Sequence, residues 1–168
     1  MKALSLWEPW ASLVAIGAKK IETRSWETRH RGWLAIHASK TWRYDSEEQC
    51  RREPFARTLR QHGYEPNTAI WRQWGSVLPL GCIIAVAYLD RCFEFTQNVT
   101  YEFPDGCRIV LAEPELSFGD FAPGRFGWVF PHVYRLATPV PCRGHQSLFD
   151  LPADIEAQVR GQIGEVPS

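Results

Sequence analysis

Residues Leu80 to Phe95 form the strongest apolar run of the chain, rich in Ile, Val and Tyr. β-Branched and aromatic side chains favour pleated backbone, so the run predicts one long strand or a bent one. Its apolar part falls far short of the roughly 20 residues that a membrane-spanning helix needs. Shorter segments of similar character flank it. Lys2 to Trp7 reads as a strand. From Lys19 the pattern alternates, with Glu22, Arg24 and Trp26 on one face and Ile21, Thr23 and Ser25 on the other. Gly32 to Ala38 alternates again, Leu34, Ile36 and Ala38 opposing Trp33, Ala35 and His37. Gly127 to Phe130 and His132 to Leu136 also read as strand, and Pro139 to Gly144 is extended.

Helical signals are fewer. Pro9 suits the first turn of a helix, Trp10, Leu13 and Val14 follow at helical spacing, and Gly17 is the expected cap. Asp45 to His62 reads as a charged, mostly exposed helical segment capped by Asp45 or Ser46 and divided at Pro54. Residues 63–79 read as a connecting loop, and residues 96–124 as irregular, with a short helical turn near Ile109 to Glu113. Ala153 to Ile163 reads as a terminal helix. Strands without a regular strand–helix rhythm predict a mainly β fold with added α, a small β-barrel with peripheral helices. The 168 residues, 45% hydrophobic and 23% charged, suit one domain over 1–168 and exclude intrinsic disorder.

The formal net charge is zero, which on its face argues against a polyanionic partner. The average conceals a split. Residues 1–72 hold 13 Lys and Arg against 8 Asp and Glu, whereas residues 73–168 hold 6 against 11. Seven of the eight tryptophans lie in the basic stretch; the exception is Trp128. Cations interleaved with aromatics point to phosphate contacts beside stacked bases. The five cysteines are widely spaced and lack a C-x-x-C pair, so no structural zinc site is expected. They read as reduced thiols of a cytoplasmic protein. The opening residues reach Glu8 and Pro9 too soon for a signal peptide, and no membrane association is expected. Glycine-rich phosphate cradles are absent, and no cofactor or metal is expected.

The densest polar cluster is Gly17-Ala-Lys-Lys-Ile-Glu-Thr-Arg24. On a strand, Glu22 and Arg24 lie about 7 Å apart on one face, within reach of a side-chain ion pair. Such a pair either closes one end of a barrel or serves a polar site, with Lys19 and Arg24 on phosphate and Glu22 on a base or a water. Gly17-x-Lys19-x-x-Glu22-x-Arg24 resembles the G-x-K-x-x-E-x-R signature of the ASCH domain family, named for activating signal cointegrator 1 homology. The flanks resemble that family too. Ser5-Leu-Trp-Glu-Pro-Trp-Ala-Ser-Leu-Val14 precedes the signature, and Arg24-Ser-Trp-Glu-Thr-Arg-His-Arg-Gly32 and Ala38-Ser-Lys40 follow it. Gly81-Cys-Ile-Ile84, Leu89-Asp-Arg-Cys92, Gly127-Trp-Val-Phe130 and Pro139-Val-Pro-Cys-Arg-Gly144 extend the likeness, with residues 41–79 and 96–124 divergent.

The resemblance implies a PUA-like β-barrel with a cleft for RNA or a modified nucleotide. It implies RNA or another single-stranded nucleic acid as partner, and leaves DNA and a protein partner open. The alternative it implies is a hydrolase acting on RNA or on an acylated nucleoside such as 4-acetylcytidine, with Lys19 and Glu22 catalytic. The deacylating members are similar at Gly17, Lys19 and Arg24 but carry threonine where this chain has Glu22. Alternation aims Thr23 at the opposite face, so it does not replace that nucleophile. Their third catalytic residue is a distal glutamate, and no motif selects among Glu94, Glu102, Glu113 and Glu115. Lys19, Glu22, Arg24 and Trp26 are expected to line a nucleic-acid cleft, with Lys20, Arg29, Arg31 and Lys40 as a basic flank that contacts phosphates. Ser5, Trp7, His37 and Trp128 are expected as further contributors.

Overall fold

The computed structural model describes residues 1–71 and 73–164. In chain order the first elements are β1 (Lys2–Leu6), α1 (Trp10–Ala15), β2 (Ile21–Arg24), β3 (Gly32–Ala38), α2 (Tyr44–Arg51) and α3 (Phe55–Gln61). Then come β4 (Cys82–Leu89), β5 (Arg91–Glu94), β6 (Thr100–Glu102) and β7 (Arg108–Val110). A 3₁₀ turn (Glu115–Phe118), β8 (Phe126–Val129), β9 (His132–Pro141), β10 (Leu148–Asp150) and α4 (Ala153–Ile163) complete them.

The strong apolar run is a bent strand. β4 lies in a five-stranded sheet of order β10-β1-β3-β4-β9, and after Asp90 the chain continues as β5 in a three-stranded sheet of order β2-β8-β5. β4 reads as continuously apolar because both faces of its sheet are covered. On one face Leu4, Leu34, Ile36 and Ile84 pack with Val14, Trp128 and Phe130. On the other, Ala3, Ala35, Ile83 and Val86 pack with Leu136, Leu151 and Val159 of α4. The described fold is mainly β with four α-helices, as expected. Its hydrogen-bonded sheets do not close into a barrel. The strand change at Asp90 divides the pairing between two sheets instead.

The predicted helices form with adjusted bounds. Pro9 precedes α1, and Gly17 takes the positive φ of 72° expected of a cap. Glu8 supplies the side-chain acceptor at this helix start: its carboxyl accepts the Ser12 backbone N–H at 3.1 Å and the Ser12 hydroxyl at 2.8 Å. The segment expected from Asp45 to His62 is two helices, parted before Phe55. Arg43, in extended conformation, occupies the cap position of α2 in place of Asp45 or Ser46, which lie inside the helix. The segment is also less exposed than its charge suggests. Phe55, Leu59 and the loop residue Trp74 are buried together with Leu13 and Phe118. Each such large side chain contributes about 1.5–3 kcal/mol by leaving water. Glu47 fastens the loop, accepting the N–H groups of Trp74 at 3.2 Å and Gly75 at 3.4 Å.

Residues 96–124 are more regular than expected. β6 and β7 form a hairpin around Asp105 and Gly106, and the helical turn falls at Glu115–Phe118 rather than near Ile109. No helix among the described residues is long and apolar enough to cross a membrane.

Candidate functional site

A cleft of about 1080 Å³ opens where the two sheets part. Ser5, Trp7 and His37 line it from the β1–β3 side, and Glu22, Thr23, Arg24 and Trp26 from the β2 side. The turn Ser117–Asp120 and the loop Cys142–Ser147 complete the wall, with Lys40 at the rim.

The signature residues converge beneath one wall. Lys19 is wholly buried, and its Nζ donates to the Ile21 carbonyl at 2.5 Å. Two carboxylates flank the ammonium, Glu22 at 3.8 Å and Glu115 at 3.9 Å. Burial pulls the Lys19 pKa down, and the two carboxylates oppose that pull. Burial also raises Glu115, against the attraction of Lys19 and two backbone N–H donors. Those donors are Lys20 at 2.9 Å and Ile21 at 3.1 Å. The other oxygen of Glu22 lies 3.6 Å from the Arg24 guanidinium. Glu22 thus sits between a buried cation and a half-exposed one. This is the ion pair that the strand spacing predicts, extended by Lys19.

Arg24 leads to the aromatics. Its guanidinium carbon lies 5.9 Å from the Trp26 ring centre. Trp26 meets Trp128 edge to face, 4.6 Å between centres, and its carbonyl accepts the Trp128 indole N–H at 3.3 Å. Trp128 is fully buried and does not line the cleft; its role there is to fix Trp26. Trp7 is half exposed, with the Arg43 guanidinium 4.2 Å from its ring centre.

The expected basic flank divides. Lys40 and Arg24 border the cleft. Lys20 borders a separate shallow depression with Gly17, His62 and Arg135. Arg29 and Arg31 do not line the cleft, and Arg31 folds onto its own turn, donating to the Thr28 and His30 carbonyls. Lys19 lies behind the wall; a Cβ built on the cleft-lining Gly119 would stand 3.1 Å from its Nζ.

Several lining residues carry no motif in sequence. Glu115, one of four glutamates that spacing left open, is the one placed at Lys19. Thr23 also reaches the cleft, contrary to simple alternation, because β2 is an edge strand and the 117–120 turn folds over its second face. Its methyl faces Gly119, and its hydroxyl accepts the Asp120 N–H at 3.2 Å. Gly144, His145, Gln146 and Ser147 enter from the loop after β9. Among the described residues no cluster of three or more His, Cys, Asp or Glu is arranged to hold a metal ion.

The model of the ASCH domain matches residues 4–112. The chain is 36% identical over 153 residues to activating signal cointegrator 1 of Mus musculus, which covers 90% of this chain and 22% of that protein. It is 35% identical over 105 residues to the Homo sapiens protein of the same name, covering 61% of this chain and 16% of that one. The chain therefore spans about a fifth of the length of these relatives. In fold it is similar to the crystal structure of ASCH from Zymomonas mobilis, with TM-score 0.50 and 13% identity over 95% of this chain and 93% of that one. Signature, flanks and fold agree, and the chain belongs to the ASCH domain family.

Proposed function

We propose that this cleft binds single-stranded nucleic acid, RNA in preference to DNA, with one base held against Trp26. The observation that carries the reading is the adjacency of Arg24 and Trp26 on one wall of a cleft of about 1080 Å³. A guanidinium beside an indole offers a phosphate contact and a stacking face within one nucleotide's reach. Lys40 and the half-exposed Trp7 extend the same pairing of charge and ring along the rim. ASCH domains share a PUA-like fold generally linked to RNA binding, which supports the same choice. Single strands are favoured because their base edges and faces are free. Glu22 orients Arg24 and offers a carboxylate acceptor to the bound base.

The test is a fluorescence-anisotropy titration with RNA and DNA oligonucleotides at two salt concentrations. Binding that weakens with salt, and that falls by roughly 1–3 kcal/mol in Trp26→Ala, is expected. Absence of binding at low salt overturns the proposal.

A further inference from the structure

Ser5 and His37 face each other across the parallel β1–β3 pairing. The Ser5 Oγ lies 3.1 Å from His37 Nδ1, and His37 Nε2 lies 3.0 Å from the Cys142 carbonyl oxygen. A carbonyl oxygen only accepts, so Nε2 carries the ring proton. In the neutral ring Nδ1 is then an acceptor, and the Ser5 hydroxyl donates to it. Burial lowers the His37 pKa, which keeps the ring neutral near pH 7.

The chain of three groups has one consequence for a ligand. The single hydrogen of Ser5 is committed inward, and only lone pairs remain for the cleft that Ser5 and His37 line. Turning that hydrogen outward would leave Nδ1 of a ring only 2% exposed without its donor, a costly exchange. Two further features fix the arrangement. A bulge in the β3–β4 pairing falls between Ile36 and His37, the device by which strands re-aim a side chain. Gly144 lies across the pair: a Cβ there would come within 2.8 Å of Ser5 Oγ and 2.3 Å of His37 Cε1. Only glycine lets the loop backbone pack this closely against the pair.

We propose that Ser5 is a hydrogen-bond acceptor of fixed polarity, which selects a base bearing an exocyclic amino group over one bearing a carbonyl at that place. The proposal rests on the nucleic-acid reading above and adds its specificity. Cytosine and adenine present an N–H₂ donor where uracil and hypoxanthine present an oxygen. The amino group completes the chain from base to Ser5 to His37 to Cys142. The carbonyl sets lone pair against lone pair.

The test compares oligocytidylate with oligouridylate of equal length, and adenosine with inosine mononucleotides, at one low salt concentration. Wild type is set beside Ser5→Ala and Ser5→Cys, the latter a near-isostere with a weak acceptor. Wild type is expected to prefer the amino partner roughly tenfold, and both variants to lose the preference while retaining most of the salt-dependent affinity. Equal binding of cytosine and uracil by wild type, or a preference that survives in the variants, overturns this inference and leaves the binding reading standing. Failure of every oligonucleotide to bind overturns both. A fluorophosphonate adduct on Ser5 in the intact mass also overturns it, because that result marks a nucleophile rather than a reader.

Discussion

The Nζ of Lys19 lies 3.9 Å from Glu115, whose carboxylate also accepts the N–H groups of Lys20 and Ile21. One side chain thus ties the 3₁₀ turn to the start of β2 by charge and by backbone. Without Glu115 the buried Lys19 keeps Glu22 as its counter-charge, but two backbone N–H groups lose their acceptor, which costs about 1–3 kcal/mol. Glu115→Ala is expected to lower the unfolding free energy by that order in urea titration. Glu115→Gln, which keeps an acceptor for the backbone, is expected to lose less. Equal loss in the two variants would show that the backbone bonds contribute nothing.

Burial raises Glu8 from 4.5 to about 8. The folded protein therefore holds a proton there that the unfolded chain releases above about pH 4.5. Its contribution to stability is complete below that pH, declines as pH rises, and is gone above about pH 8. Glu8→Gln, which keeps an acceptor for Ser12 and cannot ionise, is expected to flatten the melting profile across this window. Near pH 9 the variant should exceed wild type by on the order of 2–4 kcal/mol. Parallel pH profiles for the two proteins would refute the assignment.

Gly127 of β8 lies against the Phe95 ring. A Cβ at 127 would come within 2.6 Å of that ring and 3.2 Å of Ile21. Gly127→Ala is expected to cost about 1–3 kcal/mol by overpacking. Phe95→Leu in the same chain should return part of that loss, giving a coupling energy of about 0.5–3 kcal/mol in a double-mutant cycle. Additive effects would place the strain elsewhere.

Cations at the cleft and cations away from it separate by salt dependence. Each phosphate contact on a single strand contributes roughly 0.7 to the slope of log affinity against log salt. Arg24→Ala and Lys40→Ala are each expected to reduce the slope by about that amount. Lys20→Ala and Arg31→Ala are expected to leave it unchanged, since neither side chain lines the cleft. Equal effects from all four would mean that the strand runs over the basic turns instead.

The sequence made β3 legible to its end residues, because alternation there is bounded by Arg31-Gly32 and Ser39-Lys40. The bend in the Leu80–Phe95 run was legible as a possibility, with Asp90 its polar interruption. The β6–β7 hairpin had a signal that pattern reading passed over: Pro104-Asp-Gly106 is a turn with a mechanism. The roles of the tryptophans were not legible. Trp26 and Trp128 are both motif neighbours, and only the β2–β8 register, which sets Trp128 opposite Glu22, decides which ring is interior. Glu115 was equally hidden, because its partner Lys19 is remote in sequence and no spacing rule joins them. Charge division between the chain's halves does not map onto the cleft, which takes Arg24 and Lys40 from the basic half and Arg125 and Arg143 from the acidic one. Two of the six cations named for binding face the cleft; Lys19 is buried, Arg31 folds onto its own turn, and the exposed Lys20 and Arg29 lie outside the cleft.

The passage of the chain through Asp90 joins the two sheets that carry opposite walls of the cleft. The backbone N–H of Asp90 donates to the Val129 carbonyl at 3.0 Å, and its carboxylate accepts from Arg91 at 2.6 Å, which also reaches Asp105 at 2.9 Å. Ser5 and His37 stand on one wall, Arg24 and Trp26 on the other. The corner at Asp90 therefore joins the strands behind both walls of the cleft, and β4 and β5 supply none of the residues lining it.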